Sequence, residues 1–208
     1  MLRKEFIERF SRQIHGGFAT DDSDITYNLI NSWLNDAIAI AAKTNYTDGL
    51  KLEGIGYVNN SFYTKFKGLS VVEDDQFLYK ITLPQIPIGI GTSEGISTLQ
   101  FVDSGGRYSF PCVPVSQSQV TFFERMRNIP NRILYYTEGG YIFVKSTLLL
   151  TEYTANVRMI SGGNGSDLDS ELNVPSDYFA GMVEYLKAQM AFEKAQVRDG
   201  ANDGVNRG

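Results

Sequence analysis

Val174-Pro-Ser-Asp-Tyr-Phe-Ala-Gly-Met-Val-Glu-Tyr-Leu-Lys-Ala-Gln-Met-Ala-Phe-Glu-Lys-Ala-Gln196 is the stretch on which the fold turns. Phe179, Met182, Val183, Leu186 and Met190 recur at three and four, one face of an α-helix, widened by Tyr178 and Phe192. Pro175 holds Val174 extended and starts the helix. A helix from Ser176 to about Val197 is about 33 Å long. Gly181 sits inside it and predicts a close approach of another helix, that of Trp33.

A second long helix is predicted near the N-terminus. Ile25, Leu29, Ile30, Trp33, Leu34, Ala37, Ile38 and Ala41 repeat at helical spacing through about Lys43. Asp21-Asp-Ser-Asp24 offers N-caps and favourable negative charge at its start. Asn45-Tyr-Thr-Asp-Gly49 is read as its end. A first, shorter helix carries Leu2, Phe6, Ile7, Phe10 and Ile14 on one face and stops at Gly16-Gly17. It packs on its own domain or docks as an arm.

Between the two long helices the period drops toward two. Strands are predicted at Gly54–Val58, Ser61–Phe66, Phe77–Leu83, Ile96–Val102, Arg107–Val113, Arg132–Thr137, Tyr141–Val144 and Leu148–Ile160. Asn59-Asn60 joins the first pair, and Asp103-Ser-Gly-Gly106 and Glu138-Gly-Gly140 read as hairpin turns. Pro84-Gln-Ile-Pro-Ile-Gly-Ile-Gly91 is excluded from any central strand, because proline has no N–H to donate. Gln117–Arg127 suits a short helix or a strand. Many short strands with glycine turns predict a sandwich or small barrel.

The fold class that follows is α+β: N- and C-terminal amphipathic helices packed together, with an inserted antiparallel β-sandwich or small barrel. The expected organisation is an N-terminal helical arm (1–20), a helical subdomain in two parts (21–49 and 174–198) and a β domain (50–160). A flexible connector (161–173), rich in glycine, serine and aspartate, and a mobile polar tail (199–208) complete it.

Composition narrows the chemistry. The chain has 208 residues, a formal net charge of −5, one histidine and one cysteine. No basic cluster is denser than Glu124-Arg-Met-Arg127, so a tight grip on nucleic-acid phosphates is not expected. An acidic wall repels phosphates and suits a conduit better than a clamp. His15 would have to serve any triad, dyad or metal site alone, and it reads as a helix C-terminal histidine. Cys112 lies in an apolar strand pattern and reads as an inert thiol. One Cys and one His leave no zinc set. No apolar run approaches membrane-spanning length and no signal peptide is seen, which predicts synthesis in a cytosol.

The remaining motifs are weak. Gly89-Ile-Gly-Thr-Ser-Glu-Gly95 has the wrong spacing for a nucleotide loop. Gly162-Gly-Asn-Gly-Ser-Asp-Leu-Asp169 is like one calcium nonapeptide repeat, which needs stacked copies to work. Glu73-Asp-Asp75 and Asp167, Asp169 and Glu171 offer carboxylate pairs, but sequence does not set two carboxylates at catalytic separation. No catalytic residue, cofactor site or metal site is assigned, and an enzyme is not expected. Abundant tyrosine also allows a carbohydrate- or receptor-binding β module.

Three segments together resemble the head–tail connector proteins of tailed bacteriophages, most like the neck ring (adaptor) proteins of crAss-like short-tailed phages. They are Ile25-Thr-Tyr-Asn-Leu-Ile-Asn-Ser-Trp-Leu-Asn-Asp-Ala37, the strand–turn–strand Ile133-Leu-Tyr-Tyr-Thr-Glu-Gly-Gly-Tyr-Ile-Phe-Val144, and the closing helix after Val174-Pro-Ser-Asp-Tyr-Phe179. The resemblance implies a structural virion protein, made in the bacterial cytoplasm and located in the neck. It implies a closed ring of about twelve copies, a number taken from the family rather than from spacing. The ring would contact the portal and neighbouring neck or tail proteins and let double-stranded DNA pass. Ile30, Trp33, Leu34, Tyr178, Phe179, Met182 and Leu186 are the expected helical packing and assembly residues.

Overall fold

The computed structural model describes residues 1–14, 25–91, 94–107, 112–119 and 133–202, with side chains as far as Glu193. The chain is α+β and divides into two compact units. One comprises Met1–Phe62 and Gly162–Gly208, and the other Tyr63–Ser161.

The second unit is a seven-stranded sheet of β1 (Tyr63–Asp75), β2 (Leu78–Thr82), β3 (Ile96–Val102), β4 (Cys112–Pro114), β5 (Ile133–Glu138), β6 (Tyr141–Lys145) and β7 (Thr154–Ile160). Their spatial order is β3-β7-β1-β2-β6-β5-β4. The end strands β3 and β4 come near each other, so the sheet rolls into a nearly closed barrel. Of the two architectures expected, the barrel is the one formed. The expected antiparallel sheet is corrected to a mixed one, because β4 runs parallel to β5. Alternation builds the interior: Ile142 and Val144 of β6, Tyr79 and Ile81 of β2, and Ala155, Val157 and Met159 of β7 all point into one core. Each fully buried large apolar side chain contributes about 1.5–3 kcal/mol.

Glu138-Gly-Gly140 is a true hairpin, with Gly139 and Gly140 at φ 58° and 87° joining β5 to β6. Asp103–Gly106 is a turn, closed by the Gly106 N–H donating to the Asp103 carbonyl at 3.0 Å. The Asp103 N–H also donates across the turn to the Arg107 carbonyl at 3.0 Å, and the residues that follow, 108–111, lie outside the described residues. Three expected strands need correction. The Leu148–Ile160 run opens with a 3-10 turn (Leu150–Glu152), and only Thr154–Ile160, β7, is strand. Gly54–Val58 forms no strand, and Ser61 and Phe62 lie in a 3-10 turn (Asn60–Phe62) that precedes β1. β1 then runs on to Asp75, bent where Gly68 (φ 69°) shifts its register against β7 between Phe66 and Leu69. Gln117–Arg127 lies largely outside the described residues.

The first unit holds α1 (Arg3–Ile14), α2 (Tyr27–Glu53) and α3 (Phe179–Asn202). α2 begins at Thr26, whose hydroxyl accepts from the Leu29 N–H at 3.3 Å. The capping expected of Asp21–Asp24 is therefore corrected to Thr26; those aspartates lie outside the described residues. The helix also passes through Gly49, its expected stop. The Gly49 hydrogen face lies against the Tyr57 ring and the Ile55 carbonyl, where a Cβ would sit 3.3 Å from each. The real stop is Gly54, left-handed at φ 72°, whose N–H donates to the Leu50 carbonyl at 3.1 Å. Pro175 begins a 3-10 turn (Ser176–Tyr178) that feeds α3, and α3 extends to Asn202, beyond the expected Val197.

Candidate functional site

The expected helical residues fall together in the first unit. Leu34 and Leu186 are fully buried, Met182, Ile30 and Trp33 nearly so, and Tyr178 and Phe179 half-buried. The Tyr178 ring meets Phe62 edge-on at 5.7 Å, and its hydroxyl accepts from Asn45 Nδ2 at 3.0 Å. Phe179 meets Phe6 of α1 edge-on, also at 5.7 Å. Each such ring pair adds about 0.5–1.5 kcal/mol beyond burial. α1 is thus seated on its own chain by Phe6, Ile7 and Phe10, which are all buried.

Residues 161–173, expected as a connector, are hydrogen-bonded along much of their length. The Gly162 N–H donates to the Phe62 carbonyl, and the Asn173 N–H donates back to the Gly162 carbonyl, both at 3.1 Å. α1 joins the same corner: Arg3 and Lys4 donate their N–H groups to the carbonyls of Ser170 and Leu168. Gly162 is left-handed at φ 63°, and a Cβ there would lie 2.3 Å from Ile38 Cγ2. This is why glycine occupies the position.

Arg3 was not singled out by sequence reasoning, because an arginine beside an apolar stripe reads as a solvated charge. In the fold it has no exposed surface. Asn31 Oδ1 accepts from its Nε at 3.2 Å and from its Nη2 at 2.9 Å, and Asn35 Oδ1 also accepts from Nη2. Nη1 has no partner among the described residues. Among the described residues no carboxylate pairs with it, and burial draws the guanidinium pKa down to about 10. Asn31 is held in turn by its Nδ2 donating to the Gly165 carbonyl at 2.8 Å.

Gly181 corrects a sequence expectation. It is exposed, and a Cβ there would meet nothing within 4 Å, so it marks no close helix crossing. It lines a groove of about 550 Å³ between α1 and the start of α3, walled by Phe6, Phe10, Phe179 and Val183 and rimmed by Arg9, Glu184 and Lys187. At the far end of α2 is a second feature that periodicity does not show. Leu50, Leu52, Ile55 and Tyr57 are all exposed, Leu52 by 85% and Ile55 by 67%. The chain doubles back after Gly54 with Gly56 against the Tyr46 ring, where a Cβ would lie 2.3 Å away.

The carboxylate candidates belong to different units. Glu73–Asp75 close the far end of β1 beside β2, and Asp167, Asp169 and Glu171 lie in the bonded corner of the other unit. Among the described residues no three His, Cys, Asp or Glu side chains gather as a metal set. Burial pushes the Cys112 thiol up to about 12, which disfavours thiolate. His15 and Glu124–Arg127 lie outside the described residues. On the barrel's outer face Tyr136 stacks on Phe143 at 5.2 Å, and Lys80 Nζ stands 4.0 Å over the Tyr141 ring. No described helix is long and apolar enough to cross a membrane. Comparison of the chain with protein-family models and with curated proteins gives no match.

Proposed function

We propose that the protein is a structural, non-catalytic component of a phage virion. It forms an oligomeric ring in the neck that joins the portal to the tail around the DNA channel. The observation that carries this reading is the order of parts. One helical unit is built from both ends of the chain and brackets a β barrel, and its core is made by the α2 and α3 residues of the resembling segments. In this proposal the terminal helices of neighbouring copies build the ring wall, and the barrel contacts portal or tail proteins. The net charge of −5 suits a lumen through which DNA slides without being held.

The carbohydrate-binding alternative draws less support. The aromatic side chains on the barrel's outer face use their ring faces on each other and on Lys80, as cross-strand pairs that stiffen a sheet do. Native mass measurement of the full chain, alone and mixed with the portal and neighbouring neck proteins, tests the proposal. A ring, alone or on the portal, is the expected result. A protein that stays monomeric and ignores every neck component overturns it, and selective binding in a glycan array by that monomer favours the alternative.

A further inference from the structure

The exposed apolar spur at the end of α2 and the apolar groove between α1 and α3 are both parts of the helical unit. The spur is not a frayed end. Gly54 closes the helix, and the returning chain is braced by Tyr57 over Gly49 and by Tyr46 over Gly56. Its apolar side chains are presented to solvent on a fixed support. Keeping Leu52 and Ile55 in water forgoes about 1.5–3 kcal/mol for each side chain. Two large apolar side chains this exposed, three residues apart at a rigid helix end, suit an interaction surface.

The groove is a concave site in the same unit. Half-buried Phe179 and Val183 line it over buried Phe6 and Phe10, and Gly181 leaves open space at its side. The charges match. The groove rim carries two cations and one anion: Arg9, Lys187 and Glu184, the last two paired at 2.8 Å. The spur carries two anions and one cation: Asp48, Glu53 and Lys51. Among the described residues no ion pair satisfies Arg9, Asp48 or Glu53. Because both patches are fixed within one unit, a spur fills a groove only on another molecule.

We infer that the spur of one copy, led by Leu52 and Ile55, docks into the α1–α3 groove of a second copy of this chain, with Asp48 and Glu53 facing Arg9. The inference rests on the ring reading and supplies its contact. Two different patches meeting head to tail make a heterologous interface, which closes into a ring when the rotation per subunit allows.

The test uses full-length protein and sedimentation velocity. Leu52→Ser with Ile55→Ser removes the spur contact while leaving its charge unchanged. Gly181→Leu fills the groove from an open helical position and improves helix propensity. Each variant is expected to lose self-association by at least tenfold in concentration. An equimolar mixture of the two retains one good spur and one good groove, so it is expected to stop at a one-to-one dimer. Arg9→Glu is expected to weaken assembly, and Glu53→Arg in the same chain to restore it. Wild-type rings that persist in both variants overturn this contact and leave the ring reading standing. A mixture that stays monomeric also overturns the contact. A wild-type chain that is monomeric alone and with the portal overturns both.

Discussion

Gly162→Ala probes the joint where the chain re-enters the helical unit. Two costs add at this position. An alanine held at φ 63° is in the left-handed region, which costs about 1–2 kcal/mol. Its Cβ would also lie 2.3 Å from Ile38 Cγ2, a methyl on a fully buried side chain of α2. Forcing that contact apart costs about 1–3 kcal/mol. The variant is therefore expected to lose about 2–5 kcal/mol. The steric part is separable. Ile38→Ala removes Cγ2 at a cost of about 2–5 kcal/mol by itself. The double variant is expected to be more stable than the sum of the singles by about 1–3 kcal/mol, with the left-handed strain remaining. Ile38→Val is the control, because it keeps Cγ2 and the stiff χ1 of a branched residue in a helix, so its coupling to Gly162→Ala is expected to be small. Urea unfolding followed by the fluorescence of Trp33, the single tryptophan, reads the helical unit directly. Additive costs in the Ile38→Ala cycle, or equal coupling with Ile38→Val, would refute the packing argument.

Three more outcomes are expected. Asn35→Asp places a carboxylate on the uncompensated Arg3 guanidinium and should stabilise the helical unit at pH 7 by about 1 kcal/mol. The new carboxylate gains a cationic partner only in the folded state, so its pKa is depressed there. The gain should disappear as the pH falls through the carboxylate range, and an unchanged urea midpoint at pH 7 would contradict it. With its thiol pushed up to about 12, Cys112 should be roughly one part in ten thousand thiolate at pH 8. Native protein should then resist iodoacetamide and denatured protein should react fully; stoichiometric native labelling within minutes would show the site to be open. Tyr178→Phe removes the acceptor of Asn45 Nδ2 and keeps the ring on Phe62, so a loss of about 0.5–1.5 kcal/mol is expected in the same urea assay.

The helices were legible because their signal is local. The repeat of Ile30, Trp33, Leu34 and Ala37, and that of Phe179, Met182 and Leu186, follows from 3.6 residues per turn whatever the partner. The strands expected at Ile96–Val102 and Tyr141–Val144 were legible for the same reason at period two, and the adjacent glycines at 139 and 140 marked a hairpin. Helix ends were less so. Gly49 looked like a stop, yet the ring of Tyr57, eight positions later, makes glycine useful inside the helix, and the stop fell to Gly54.

Contacts between distant positions decided the rest. The pairing of β4 with β5 in parallel, and of β3 with β7 across more than fifty residues, leaves no mark in either strand's own alternation. Arg3 carries its charge into the interior because Asn31 and Asn35 present carbonyls one helical turn apart, a fact of α2's position and not of Arg3's neighbours. Two long amphipathic helices around a β-rich insert, and a single histidine and cysteine, were readable from composition and short-range periodicity alone. The rolling of the sheet into a barrel, the packing of Gly162 and the spur and groove of the helical unit came from long-range contacts. Burial and exposure belong to the three-dimensional neighbours of a residue, and those neighbours come from elsewhere in the chain.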